Sequence, residues 1–561
     1  MIRLRYQIML IFLAVWIVFA NGLSAKFVMD DASLVVSNPR VHSLAYLPAV
    51  FLGSAFFDPL HPDQNSGGQF YRPLVSLAYA LIYTLGGPTP WVFHFFQVLL
   101  HFTNTVLVLF IFRKFLQPRI SFWLALIFAV HPINQLAVIY ISSLNDILFL
   151  FFGLLGFYAL ISSRLTLPRL TLVSALLFLS LLSKETGVLF VILCAVYLWL
   201  WQRPRLVISG YVFSYFLLAY FFLRFVLARV TYIRIPDIPI MRADLTHRLL
   251  TLPRIFWYYL STFFFPARLV AAQWWLVPKA DFSMFFLPLL ADLGVLAVIF
   301  FTGRFIYRCR RRDFRPFIFF SLWFLVGLGL HLQLWPLDWT VLDTWFYFPQ
   351  IGLLALLGLV FHYLRPKYDF IFLIVILALG TRTIVRNFDW RDGITLFTHD
   401  LRYEDNGYME ASLAGELMAA GRYRDSVPHW QKALALNPWG TPSWYNLGYA
   451  YEQLGDYRSA ARNYAHFLTL LDPPMAYAGL LTAQLKGHFN DSKSASVAAS
   501  AVAKYPRDAR LWLLKSLVDY SLGDAASASS SAAVSYSLSP SSDALYVEKQ
   551  IQSRQPVQLS P

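Results

Sequence analysis

The chain has 561 residues, of which 58% are hydrophobic, 18% aromatic and only 14% charged, whereas soluble domains carry roughly 25% charged residues. A water-soluble multi-domain enzyme is excluded. The 46 Lys and Arg against 31 Asp and Glu give a net charge of +15, which in so apolar a chain is first a sign of membrane topology, and no nucleic-acid partner is expected.

From Tyr6 to Val385 apolar runs of about 18 residues or more recur, each long enough for a hydrocarbon core of about 30 Å. Six basic clusters divide them: Arg3 and Arg5; Arg113, Lys114 and Arg119; Arg164 and Arg169; Arg203 and Arg205; Arg304 through Arg315; and Arg365 with Lys367. Short basic loops stay cytoplasmic. Placing all six inside predicts eleven crossings, near 7–25, 92–112, 119–139, 145–163, 168–183, 186–202, 206–227, 286–306, 317–334, 345–364 and 369–386. The N-terminus is then cytoplasmic, a long outer loop covers 26–91, and the chain beyond the last crossing lies outside. The Arg-led apolar start, with Ser24 and Ala25, also has the form of a cleaved signal peptide. Two further apolar stretches, Phe70 to Tyr83 and Arg254 to Gln273, would each invert all later clusters and read as interfacial or re-entrant helices. Cys194 sits in an apolar run and Cys309 in a basic cluster, so neither a disulfide nor a zinc site is expected.

After a connector over 387–406 the composition turns to Ala, Ser, Tyr and charged residues at helical spacing. Trp444, Leu447, Gly448, Tyr451, Gly455, Ala460, Tyr464, Phe467 and Pro473 follow the 34-residue tetratricopeptide pattern. Leu413, Leu417, Gly421, Trp430, Ala433 and Pro438 repeat it one period earlier; Gly487 with Pro506, then Trp512, Gly523, Ala528 and Pro540 repeat it later. Four repeats over 407–545 are expected, the third degenerate, with a tail over 546–561 that is unstructured after Arg554. The fold class is all-α: a polytopic membrane bundle over 1–386, then a soluble α-solenoid. A concave repeat surface suits an extended protein or peptide segment, and equally a spacer or dimerisation arm.

Asp30 and Asp31 directly follow the first apolar run. Two adjacent carboxylates at a membrane exit repel each other in a lowered dielectric, which suits a general base or a cation site; acids that merely mark the outer end of a helix would look the same. In the eleven-crossing scheme His131, Asn145, Asp146, Lys184 and Glu185 reach the same outer level. His94 and His101, seven residues apart, lack a third ligand at suitable spacing, so no metal site is assigned. The series Arg224, Arg229, Arg234, Arg242, Arg248, Arg254 and Arg268 falls outside, where it could cradle phosphate or merely accompany a translocated loop.

In chain order come Asp30-Asp31, Asn38-Pro39, Tyr71-Arg72-Pro73-Leu74, His94, His101-Phe102-Thr103-Asn104, His131-Pro132-Ile133, Asn145-Asp146, Ser183-Lys184-Glu185, then 343–352 and Arg386-Asn387-Phe388-Asp389-Trp390-Arg391-Asp392. This ordered series, ending in the repeats, resembles the transmembrane-and-tetratricopeptide-repeat O-mannosyltransferases among the C-type glycosyltransferases, almost end to end. The resemblance implies an inverting glycosyltransferase that moves a sugar, mannose favoured, from a polyprenyl-phosphate donor to a Ser/Thr hydroxyl or glycan. Asp30 or Asp31 would deprotonate the acceptor, and Lys184, with Arg72 as a second candidate, would meet the donor phosphate. Glu185, Asn145 and Asp146 would orient Lys184 or bind sugar hydroxyls, and His131 would stand beside them at the outer helix end. A dolichol or an undecaprenyl donor fits equally, as does a requirement for a divalent cation. The implied site is the inner or endoplasmic reticulum membrane, with the repeats periplasmic or luminal. The sequence departs from the family's pattern at Asn134-Gln135-Leu136, at Ser143-Leu144 and at Trp345, which replaces an arginine. Two other classes fit the same features: a non-enzymatic scaffold whose repeats recruit partners, and a flippase for lipid-linked sugars.

Overall fold

The computed structural model describes residues 3–56, 70–232, 234–235, 238–362, 365–553 and 555. Among them every regular element is helical, save an isolated β-bridge between Gln273 and Val341. It divides into two compact units, Met1–Glu404 and Asp405–Pro561. Counting α-helices of eight residues or more, the first unit opens with α1 (Leu4–Phe19), α2 (Pro73–Gly86), α3 (Pro90–Phe115), α4 (Pro118–Val130) and α5 (Leu144–Ser162). It continues with α6 (Leu167–Ser183), α7 (Val188–Trp201), α8 (Leu206–Phe221), α9 (Leu245–Phe264) and α10 (Leu287–Cys309). It closes with α11 (Phe314–Gly329), α12 (Pro349–Phe361), α13 (Asp369–Asp389) and α14 (Gly393–Asp400), the last within the stretch expected to be a connector. Proline in the first turn of α2, α3, α4, α6, α10 and α12 sets the helical φ where its missing N–H costs nothing.

The expectation of eleven crossings is corrected. Among the described residues six helical stretches are long and apolar enough to cross a membrane: Leu4–Ser24, Pro90–Phe115, Ile141–Ser162, Arg203–Leu227, Phe282–Cys309 and Pro366–Asp389. A seventh counts only if Pro118–Val130 and Pro132–Ile139, bent by 49°, are one span. The bend falls at His131-Pro132, where proline disfavours helix in the residue before it and cannot donate to the preceding turn. The remaining four expected crossings hold the shorter apolar helices Leu167–Ser183, Glu185–Trp201, Phe314–Gly329 and Pro349–Phe361. Two of these helices fall short of the apolar stretches expected, Phe314–Gly329 stopping before 334 and Pro349–Phe361 starting after 345; the chain also breaks between the crossings expected at 168–183 and 186–202. At 183–187 Lys184 is fully extended (φ −159°, ψ 142°) and the chain turns back so tightly that a Cβ on Gly187 would lie 2.7 Å from the backbone of Ser180 and Leu181. The stretch Phe70 to Tyr83 enters α2, and the start of 254–273 lies in α9, which carries Pro253 inside and gives way to extended chain at Phe265.

The second unit is built of helix pairs: α15 (Gly407–Ala419) with α16 (Tyr423–Leu436), α17 (Thr441–Gln453) with α18 (Tyr457–Leu470), α19 (Pro474–Lys486) with α20 (Ser492–Lys504), and α21 (Ala509–Ser521) with α22 (Ala525–Leu538). A single helix, α23 (Ser542–Gln552), follows. Tyr464 locks consecutive pairs: its ring fills the space left by Gly448 and Gly479, where added Cβ atoms would come within 3.0 and 2.7 Å of it, while its hydroxyl donates to Glu452 Oε2 at 2.9 Å. Side chains of Asp456, Asp491 and Asp524 accept the orphan N–H groups that open α18, α20 and α22. Apart from Gln555, the tail expected to be unstructured after Arg554 lies outside the described residues.

Between paired helices the chain passes through a left-handed residue: Gly421 (φ 73°), Gly455 (φ 78°) and Gly523 (φ 91°). In the third pair the glycine is one position early, at 487, and His488 (φ 53°) takes the left-handed conformation instead. A side chain there costs about 1–2 kcal/mol. His488→Gly is therefore expected to stabilise the turn by roughly 1 kcal/mol, seen as slower amide hydrogen exchange in α19 and α20 of the full chain.

Candidate active site

The segment after α1 is held by one carboxylate. Met29 adopts φ 53°, an unusual left-handed conformation for a side chain of its kind, and places the two acids in different surroundings. Asp31 is buried. Its Oδ1 accepts from the Ser142 N–H at 2.8 Å and the Ser142 hydroxyl at 2.5 Å, and its Oδ2 accepts from the Val28 N–H at 3.0 Å. Burial pushes the Asp31 carboxyl up to about 7, against the pull of those donors. Asp30 is partly exposed, and its N–H donates to the Tyr140 hydroxyl at 3.2 Å. Burial raises its carboxyl above the usual range, while the Tyr140 hydroxyl and the Arg72 charge draw it down. Asp30 lines a cavity; Asp31 does not.

That cavity encloses about 420 Å³ and gathers charge from six parts of the chain, one of them the segment at Asp338. Asp30 comes from the first loop, Arg72 from the start of α2, Asn145 and Asp146 from the first turn of α5, Lys184 and Glu185 from the turn after α6, and Arg224 from the π-helical turn Phe222–Leu227 that continues α8. Lys184 Nζ pairs with Asp146 Oδ1 at 2.6 Å, the two side chains being 8% and 4% exposed. Glu185 holds two guanidiniums, Arg72 Nη2 and Arg224 Nη1, each at 3.4 Å. Arg224 Nη1 also donates to the Tyr220 hydroxyl at 3.0 Å. Tyr232, Trp335, Trp339 and Trp345 supply aromatic wall, and Trp345 stacks on His331 with ring centroids 4.9 Å apart.

Of the residues expected from sequence, the cavity brings together Asp30, Arg72, Asn145, Asp146, Lys184 and Glu185. Asn145 donates to the Ser142 carbonyl at 2.8 Å, and its buried Oδ1 has no hydrogen-bond partner among the described residues. His131 is not among the lining residues: its Nε2 meets the Phe263 carbonyl at 2.9 Å and its Nδ1 accepts from the Ile133 N–H at 3.2 Å, so both nitrogens serve the helix break. His94 contacts the Ala25 carbonyl, and His101 lies between the Tyr347 hydroxyl and the Ala129 carbonyl. Among the described residues no three His, Cys, Asp or Glu side chains converge.

Sequence reasoning missed Asp338, Trp335, Trp339 and Tyr232, and of the later arginines it could not single out Arg224. Asp338 and the two tryptophans lie in Trp335-Pro336-Leu337-Asp338-Trp339, a turn-rich segment whose density of Trp around one acid is its only sequence signal. Burial pushes Asp338 up to about 6, and the Arg72 charge opposes this. The segment is fastened to the chain after α9 through the Thr340 hydroxyl, which donates to the Trp275 carbonyl at 2.8 Å, and through the Trp274 indole, which donates to the Asp338 carbonyl at 2.9 Å.

Fold and site together define a class: a unit of apolar helices around a charged cavity, followed in the chain by helical repeats. No family model matches the chain. Protein O-mannosyl-transferase TMTC3 of Mus musculus is 30% identical over 182 residues, which is 32% of this chain and 20% of the relative. Protein O-mannosyl-transferase F38B6.6 of Caenorhabditis elegans is 24% identical over 458 residues, 78% of this chain and 63% of that one. The chain's match thus spans about a fifth of the mouse relative's length. A thermophilic TPR protein of Thermus thermophilus, known as a crystal structure, is 21% identical, covering 26% of this chain and 82% of that one at a TM-score of 0.23. The resemblance to the TMTC O-mannosyltransferases, first carried by the ordered motifs, is shown by these relatives.

Removing Lys184 leaves Asp146 charged and buried without its partner, so Lys184→Met is expected to destabilise the first unit by about 3–5 kcal/mol. Lys184→Met combined with Asp146→Leu is expected to recover most of that loss. Thermal unfolding of the full chain in detergent compares the two.

Proposed function

We propose that the cavity transfers a hexose, mannose first among candidates, from a polyprenyl-phosphate donor to a protein Ser/Thr hydroxyl or glycan on the extracytoplasmic side of its membrane. The observation that carries this reading is the meeting of Asp30, a carboxylate without an ion pair among the described residues, with three cations, Lys184, Arg72 and Arg224, in a cavity sized for a sugar phosphate.

Asp30 Oδ takes the proton of the acceptor hydroxyl as its oxygen attacks the anomeric carbon. The carbon–oxygen bond to phosphate breaks, and its electron pair leaves with the polyprenyl phosphate, which gains one negative charge. Lys184, Arg72 and Arg224 are pre-placed where that charge grows, in a partly dehydrated site where such stabilisation is worth most. Attack opposite the leaving phosphate inverts the anomeric centre. Asn145 Oδ1 and the buried Thr186 hydroxyl, both unpartnered among the described residues and lining the cavity, suit sugar hydroxyls. The tryptophan walls suit the apolar face of the ring, and the repeats present the acceptor. Asp31 positions Asp30 and touches no reactant.

The test is transfer of radiolabelled mannose from polyprenyl-phosphate donors to Ser/Thr-rich peptides by the purified full chain in lipid. Asp30→Asn is expected to lower the rate at least about 100-fold, the lower end of what a positioned base contributes, with the fold retained. Undiminished transfer by that variant would overturn the assignment.

The pH dependence has a definite sign. Asp30 acts when ionised, and burial raises its pKa, so activity is lost as pH falls through that raised value and is recovered above it. Tyr140→Phe removes the hydroxyl that draws the pKa down. The acid limb of the kcat/KM profile is expected to move to higher pH in this variant, with the plateau above it little changed.

A further inference from the structure

The helices that carry Asn145, Asp146 and Lys184 into the cavity have a second meeting point at their other ends. There the loop between α5 and α6 faces the turn between α7 and α8, and Ile161, Ser163, Arg164, Leu165, Gln202, Pro204 and Arg205 line an open pocket of about 460 Å³. The 19 residues of α5 separate it from the catalytic cavity by roughly 28 Å at 1.5 Å per residue. Its polar lining is cationic or neutral, and residues 161–170 and 201–208 contain no Asp or Glu.

Four arginines surround this pocket, and they divide sharply. Arg169 is spent on the chain itself: its Nε donates to the Ala159 carbonyl at 2.7 Å and its Nη1 to the Ser163 hydroxyl. Arg203 donates to the Trp199 carbonyl at 3.0 Å and lies 5.3 Å from the Trp199 ring. Arg164 and Arg205 line the pocket and make no ion pair or side-chain hydrogen bond among the described residues. Exposed Leu167, Val207 and Ile208 follow them within three residues in sequence. Two uncommitted guanidiniums in a pocket lined also by Ile161 and Leu165, with exposed apolar residues nearby in sequence, match a phosphate whose attached chains run down along the helices.

We infer that this pocket binds the phosphate head group of an anionic glycerophospholipid in the leaflet opposite the catalytic cavity. The site is separate from the donor's and stands whether or not the proposed transfer does. A soluble phosphate would meet the same guanidiniums but gains nothing from apolar surface, so it is the alternative the test must separate.

The experiment is native mass spectrometry of the full chain released from nanodiscs of equal phosphatidylglycerol and phosphatidylcholine, with thermal unfolding in neutral detergent as the control for folding. The wild type is expected to retain phosphatidylglycerol in preference to phosphatidylcholine. Arg164→Gln with Arg205→Gln is expected to lower that preference roughly thirtyfold, each single change accounting for about fivefold. A control pair elsewhere, Arg311→Gln with Arg312→Gln, is expected to leave it unchanged. Equal retention by the wild type and the Arg164/Arg205 variant overturns the proposal, as does an equal loss in the control pair. Displacement of the lipid by about 10 mM inorganic phosphate, a charge competitor without an apolar anchor, would overturn the lipid assignment in favour of a soluble anion.

Discussion

Asp31 is the fixed point of the cavity's side of the first unit. Its two oxygens accept three hydrogen bonds: two from Ser142 tie the segment leaving α1 to the turn before α5, and one from the Val28 N–H closes that segment on itself. Hydrogen bonds to a charged acceptor contribute about 1.5–3 kcal/mol each. That is enough to hold Met29 in a conformation that costs about 1–2 kcal/mol. The strained residue turns the chain so that consecutive acids do different work, one anchoring and one facing the cavity. A second anchor stands behind it. Asn387 donates to the Val18 carbonyl and to Asn21 Oδ1, both at 2.9 Å, and the Lys26 N–H donates to the Arg391 carbonyl at 3.2 Å. The start of the first loop is thereby stitched to the end of α13.

Behind that seam lies a buried charge pair of another kind. Arg386 meets Asp400 through both nitrogens, at 2.7 and 3.0 Å, and Asp400 also accepts from the Ala271 N–H at 2.7 Å. The bidentate geometry and the extra donor satisfy the carboxylate, which is what makes a buried pair tolerable. Its effect is architectural, fixing the extended chain after α9 against α13 and α14. That chain in turn supports the Trp335–Trp339 wall of the cavity. The motif read from sequence at 386–392 is thus a fastening for the site, with no member in its lining.

The sequence made the all-helical class, the repeats and six of the cavity residues legible, because apolar length, the 34-residue period and charged interruptions of apolar runs are local signals. It could not separate Asp30 from Asp31, since that depends on Ser142, more than a hundred residues away. It allowed Glu185, Asn145 or Asp146 to orient Lys184, and only the fold assigns Asp146 to Lys184 and Glu185 to the two arginines. It overcounted the crossings because hydropathy does not register where a helix begins and ends: the helix in 317–334 stops at Gly329, that in 345–364 starts at Pro349, and Pro132 breaks the one in 119–139. His131 looked like a site residue for the same reason: a polar group at a helix break reads alike whether it faces a ligand or caps the chain.

The short helices on either side of Lys184 carry a consequence for the surrounding bilayer. At 1.5 Å per residue, the 17 residues of α6 reach about 26 Å and the 14 of α7 about 21 Å, both less than a hydrocarbon core of about 30 Å. Such hydrophobic mismatch draws head groups inward around the turn that joins them.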